Sequence, residues 1–253
     1  MSQSPLIPKK GFTRYCFKIS YNGSKFHGWA IQPKLKTVQG DLQTALSSLY
    51  NEKVIVYGSG RTDSTVHAIA QVFHFDVKKD IPIKGIISKL NSFNFGIWNI
   101  FDGKKIIKPF HSRYSVKNKT YLYKIEITKK TNPLTFDFSW QIPYEISLKK
   151  LREISKLFIG KKNFLSFTTD KKLDSIRTIN KITITKKNNF LYFKINGTGF
   201  LRNMVRMIIG CMINFAIDKI DLNHCKNLFD NPSKGKSVFK APGSGLYLLK
   251  VNY

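Results

Sequence analysis

The chain has 253 residues, 42% of them hydrophobic and 20 of them Phe, enough apolar mass for packed interiors and comfortable for two small lobes. Its 43 Lys and Arg against 15 Asp and Glu leave a formal charge of +28, far beyond what solubility needs, so a polyanion is the expected partner. Three widely spaced cysteines without a Cys-x-x-Cys pair argue against a disulfide framework or a Cys-based zinc site. No apolar run reaches the roughly 18 residues of a membrane span, and a reducing cytoplasm is the expected location.

Residues 1–11 carry two prolines and no apolar signal core, and are expected to form a disordered tip. From Arg14 to Tyr21 the apolar residues Tyr15, Phe17, Ile19 and Tyr21 alternate with Arg14, Cys16, Lys18 and Ser20, the period of a half-buried strand. A turn at Asn22-Gly23-Ser24 follows. Val38, Leu42, Ala45, Leu46 and Leu49 share one helical face, with Thr37 available as N-cap. Strands are predicted near 53–58, 70–77 and 120–127, the last with Tyr121, Tyr123, Ile125 and Ile127 on one face. An amphipathic helix over 148–158 then leads to strands near 180–186 and 190–196. Gly197-Thr198-Gly199 is predicted to open a long helix carrying Phe200, Met204, Met207, Ile208, Cys211, Met212 and Phe215. A strand over 246–251 closes the chain.

This grammar, repeated in two halves, predicts an α+β fold of two similar lobes, each a mostly antiparallel sheet with helices on one face, with the active-site cleft between them. The lobes are expected over 12–132 and 133–253, with the loop from Pro133 to Pro143 as connector. Two phosphate motifs are nearly present and fail. Gly235-Lys236-Ser237 lacks the first glycine of a P-loop, whose position is held by Asp230. Arg202 stands where a dinucleotide fingerprint starting at Gly197 needs its third glycine.

The run Gly60-Arg61-Thr62-Asp63-Ser64-Thr65-Val66-His67-Ala68 sets a lone carboxylate on a Gly-bounded loop after the apolar residues 54–57. In so basic a chain, an acid there is a poor phosphate contact and a good nucleophile, although an Asp beside Gly and Thr is ordinarily a turn or capping residue. Arginine is scarce, 7 against 36 Lys, a lysine excess that AT-rich coding bias would also produce. The remaining arginines are therefore expected where a planar, bidentate fork is needed. Arg61, Arg113, Arg177, Arg202 and Arg206 all fall in motif-like segments.

Those segments are collinear. They are Tyr21-Asn22-Gly23-Ser24-x-Phe26-x-Gly28-Trp29, Thr37-Val38-Gln39-Gly40, the Asp63 run, Phe110-His111-x-Arg113-Tyr114-Ser115 with Tyr121-x-Tyr123, Asn163-Phe164-x-Ser166-Phe167, Ser175-x-Arg177-Thr178-Ile179, Gly199-Phe200-Leu201-x-x-Met204-Val205-Arg206, and Ala241-Pro242-x-x-Gly245-Leu246-Tyr247-Leu248. Together they resemble the tRNA pseudouridine synthases of the TruA type over most of residues 14–250. The resemblance implies an isomerase that needs no cofactor and no metal. It implies a tRNA substrate modified on the 3′ side of the anticodon arm (tRNA positions 38–40), and a homodimer with one RNA crossing both subunits.

By the same resemblance Asp63 is the catalytic nucleophile, and Tyr121, Arg61, Arg206, Arg177 and Leu246 form the substrate-binding set. Arg61 and Arg206 are candidates to pair with Asp63, and Arg61 alternatively to fill the gap left by the extracted base. Arg206 equally reads as a continuation of the polar side of its helix with Arg202. Tyr121, on pattern alone, reads as a core aromatic; the resemblance makes it the ring that stacks on uracil. His67 reads as a loop-orienting residue rather than a general base. The chain departs from the family at Ser64-Thr65, where Ala-Gly is usual; if that glycine has a positive φ, a β-branched Thr is strained there. It departs also at Asn22, Ala30 and Asn94-Phe95. The alternative functions are a non-catalytic RNA-binding protein on the same scaffold and a pseudouridine synthase acting on other RNA uridines.

Overall fold

The computed structural model describes residues 5–170 and 174–253 and divides the chain into two compact units, residues up to Lys117 with Leu248–Tyr253, and Asn118–Tyr247. The lobes expected over 12–132 and 133–253 differ in where one strand and the C-terminus fall. The strand beginning at Asn118 pairs over eight residues with a strand of the second unit, and the chain end returns to the first.

In the first unit the sheet is antiparallel. Strand β1 (Thr13–Tyr21) lies between β3 (His67–Val77) and β4 (Trp98–Ile106), and β2 (Tyr57–Gly58) pairs with β3. Helices α1 (Val38–Tyr50) and α2 (Ile83–Phe93) complete this unit. Thr37 caps α1 as expected, its hydroxyl accepting from Gly40 N at 3.3 Å. Tyr15, Phe17, Phe73 and Phe75 stack within the core, all fully buried.

The strand expected over 53–58 shortens to two residues, for a traceable reason. Val54 N donates to Ser47 Oγ, Val56 N to Gln43 Oε1, and Val56 O accepts from Gln39 Nε2, so side chains of α1 satisfy backbone that a neighbouring strand would otherwise take. Of the expected disordered tip, residues 1–4 lie outside the described residues. The carbonyls of Pro5 and Leu6 accept from the buried Arg14 guanidinium, which also forks onto Asp76 at 2.7 Å.

In the second unit β5 (Asn118–Ile127) pairs with β6 (Trp140–Ile142) in parallel across the short helix α3 (Pro133–Phe136). Helix α4 (Leu148–Ser155) leads through a 3₁₀ turn to β7 (Gly160–Asn163), β8 (Ile176–Lys187) and β9 (Phe190–Gly197), and the order is β5-β9-β8-β7. Helices α5 (Met204–Ala216) and α6 (Leu222–Asp230) follow, and β10 (Leu246–Asn252) ends the chain. The helix expected to open at Gly197–Gly199 begins instead at Met204. Asn203 sits before it with φ 62°, so the chain turns once more before helical geometry starts, and Phe200 lies outside the helix. The α+β class with mostly antiparallel pairing is as expected.

Candidate active site

The Asp63 loop joins β2 to β3, and the motif at Tyr21–Trp29 packs closely against it. Trp29 N donates to Thr62 O at 3.0 Å, and Tyr21 OH bonds Thr62 Oγ1 at 2.8 Å. A Cβ on Gly28 would stand 2.7 Å from Thr62 O and 3.1 Å from the carbonyl carbon of Asp63. A Cβ on Gly23 would overlap the Val66 carbonyl. Only glycine lets the two backbones approach this closely, and Gly28 also needs its φ of 96°. The cradle is itself tied down, because Val38 N and Gln39 N at the start of α1 donate to the carbonyls of Gly28 and Trp29 at 3.2 and 3.0 Å. Three segments separated in the sequence thus form one support for Asp63.

Within the loop, Val66 N donates to Asp63 O at 3.2 Å, closing a turn in which Thr65 has φ 65°. The Thr that stands at the family's glycine position is therefore in the left-handed region, the condition under which a β-branched side chain is strained there. Gln71 Nε2 donates to Gly60 O at 2.7 Å and Ser59 Oγ bonds the same side chain, anchoring the loop's other end on β3. His67 is buried, and its Nδ1 accepts from Gly23 N at 3.0 Å. That bond ties the cradle to the loop through one ring nitrogen. Arg61 is exposed and Asp63 half-buried on the same turn.

The remaining site candidates belong to the second unit. Tyr121, buried on β5, lies edge-on to Phe200 with ring centroids 5.0 Å apart. Phe200 in turn lies against Gly197, and the Arg177 side chain runs past Gly199, where a Cβ would be 3.6 Å from its Cδ. Arg177 Nη1 also meets Asp174 Oδ2 at 3.2 Å and Ile176 O at 2.6 Å. Arg206, in the first turn of α5, donates from Nε to Ala241 O at 2.7 Å and from Nη1 to Asn203 Oδ1 at 3.3 Å. Leu246 is buried at the start of β10, just after Gly245 packs against the ring of Tyr123. Tyr123 OH donates to Pro242 O at 2.8 Å, fixing the 241–246 segment on β5. The structure thus gathers Tyr121 and Arg177 about the 197–200 segment, and Arg206 and Leu246 about the 241–246 segment.

Sequence reasoning attached no role to Gly23, Gly28, Thr62 or Phe200. The available signal was the glycine spacing in the Tyr21–Trp29 run, which marks places where a second backbone comes close. Among the described residues no group of three or more His, Cys, Asp or Glu side chains is arranged to hold a metal ion.

The profile of the tRNA pseudouridine synthase family, a class of RNA-modifying enzyme, matches residues 154–253. Proteins named tRNA pseudouridine synthase A are similar over nearly the whole chain. The one from Mycoplasmoides gallisepticum is 44% identical, covering 93% of this chain and 89% of the relative. That of Mycoplasma genitalium is 45% identical over 95% and 98%, and that of Aquifex aeolicus 34% identical over 94% and 98%. The chain belongs to the tRNA pseudouridine synthase A family, and it is an isomerase that converts uridine to pseudouridine in tRNA.

Proposed function

We propose that the uridines isomerised lie in the anticodon arm of tRNA and that Asp63 is the nucleophile. The observation that carries the role of Asp63 is the support beneath it, and the family resemblance supports the anticodon arm as target. Gly28, Trp29 and Gly23 hold its turn through backbone contacts, which leaves the carboxylate on a fixed platform. The target base leaves its stack at a cost of roughly a few kcal/mol, offset by phosphate contacts of a strongly basic protein. The carboxylate bonds to the nucleotide, the N1–C1′ bond breaks, the base turns, C5 bonds to C1′, and the bond to the carboxylate breaks to release Asp63. C5 then gives up its proton and N1 gains one, so the product is an isomer and no co-reactant is consumed.

Tyr121 supplies the stacking face, while Arg61 and Arg206 bring positive charge to the reacting nucleotide, and Arg177 and Leu246 complete the substrate contacts. The same reading carries a homodimer acting on one tRNA in the cytoplasm. No helix among the described residues is long and apolar enough to cross a membrane.

Mapping of pseudouridine in unmodified tRNA after incubation with wild type and with Asp63→Asn tests the proposal. Product is expected in the anticodon arm with wild type only, while Asp63→Asn still binds tRNA. Product from Asp63→Asn would remove it as nucleophile, and product at other uridines would move the target.

A further inference from the structure

Strands β8 and β9 present two faces of opposite character. In register, Ile182 and Ile184 lie beside Ile195 and Phe193, all apolar, on the side of β5 that carries Tyr121 and Tyr123. The alternate residues Lys181, Thr183, Thr185 and Lys187 lie beside Asn196, Lys194, Tyr192 and Phe190. On this second face Lys181, Thr185, Lys187 and Lys194 are exposed, and Thr183 and Tyr192 are partly so. Lys186, which points to the apolar side, pairs with Glu145 at 3.2 Å. Among the described residues no carboxylate lies within 4.0 Å of Lys181, Lys187 or Lys194. Strand register does bring Glu126 to this face, beside Phe190, but it is buried and bound by Asn132, Thr135, Ser139, Gln141 and Asn189.

We infer that this face is a phosphate track for the tRNA, gripping sugar–phosphate backbone away from the nucleotide being isomerised. Lysine point charges neutralise phosphates without reading bases, and threonine hydroxyls donate to phosphate oxygens. From Lys181 to Lys187 the row runs about 20 Å, at ~3.3 Å per residue, long enough for several phosphates. Tyr121 pairs with Ile195 on one side of the sheet and Leu122 with Lys194 on the other, so a base stacked on Tyr121 does not reach Lys194. A second copy of the chain is the wrong occupant, because like-charged lysines would be set against each other. The inference rests on tRNA as substrate but not on which uridine is modified.

The test compares wild type, the triple variant Lys181→Gln/Lys187→Gln/Lys194→Gln, and a control triple on the helices, Lys149→Gln/Lys156→Gln/Lys226→Gln. Binding of unmodified tRNA is measured across a KCl series, with folding checked by circular dichroism and mass by sedimentation. The track variant is expected to bind more weakly, with the slope of log K against log salt shallower by about 2–3, since each phosphate contact contributes roughly 0.7–0.9. A slope equal to wild type, or an equal loss in the control, would overturn the track in favour of bulk charge. A changed mass for the track variant would make the face a contact between copies instead. Because binding is read rather than product, a misassigned target uridine would leave this result standing.

Discussion

At residue scale the departure at Thr65 is the most informative single position. Its φ of 65° places a β-branched side chain in the left-handed region, at a cost of about 1–2 kcal/mol. Glycine would remove that strain but give back ~0.5–1 kcal/mol in unfolded-chain entropy. Thr65→Gly is therefore expected to raise unfolding free energy by about 0.5–1 kcal/mol in urea titrations, and Thr65→Ala to bring no comparable gain. Equal stability for wild type and the glycine variant would show that the loop has already relaxed around Thr65. Asn22, another departure, keeps the local chemistry of Asp: its Oδ1 accepts from Ser24 N at 3.1 Å. The nonapeptide stood out from its residues as a candidate, and as a reactive loop only through the family resemblance; the positive φ was legible only as a condition, since φ is set by the cradle.

At the scale of elements, the Asp63 loop is held by a turn and a helix terminus on one side and by Gln71 and His67 of β3 on the other. The chain Gly28–Thr62 and Trp29–Thr62, backed by Val38 and Gln39 of α1, makes loop placement sensitive to a single methyl group. Gly28→Ala is expected to lower single-turnover rate by about 100-fold, the penalty of an ångström-scale misplacement, with tRNA affinity nearly unchanged. An unaltered rate would mean that Asp63 is positioned by other contacts. Most long elements were legible because they follow period 2 or 3.6, as in β1 and α1. Helix α2, strand β4, strand β7 and helix α6 were not. Strand β4 carries Asp102-Gly103-Lys104-Lys105 in its middle, and it pairs because Phe17 packs over Gly103, a contact no local pattern announces. The premature helix start at Gly197 has the same origin, since Phe200 turns toward Tyr121 instead of entering the helix.

At the scale of the whole molecule, the first unit buries two neutral histidines whose protonation opposes folding. His74 and His111 meet at 4.6 Å between ring centroids, and each Nδ1 accepts a backbone N–H, from Ser112 and Arg113 respectively. Neither Nε2 finds a hydrogen-bond partner among the described residues. Burial, reinforced by Arg14, pushes His74 down to about 2 and His111 down to about 4 from the ordinary 6.5. The unfolded chain takes up protons below pH 6.5 while the folded chain takes none until near pH 4. Stability is therefore expected to fall with pH across that window by roughly 1.4 kcal/mol per unit for each histidine. Chemical denaturation from pH 7 to 4.5 measures it, and His111→Asn, which keeps an acceptor for Arg113 N, should lose about one proton from the slope. A variant slope equal to wild type would return the acid sensitivity to other groups.

Composition and pattern by themselves determined a basic α+β protein for a polyanion and most of the regular elements, and singled out the Asp63 loop as a candidate, because charge, period and capping are local properties. Family resemblance in the same residues implied the reaction and its substrate. Only the tertiary structure decided why Gly23 and Gly28 are glycines, why Thr65 is strained, and which lysines lie on an open sheet face rather than beside a carboxylate. Those facts depend on backbones brought together from distant parts of the chain and on strand register, where a shift of one residue exchanges the two faces.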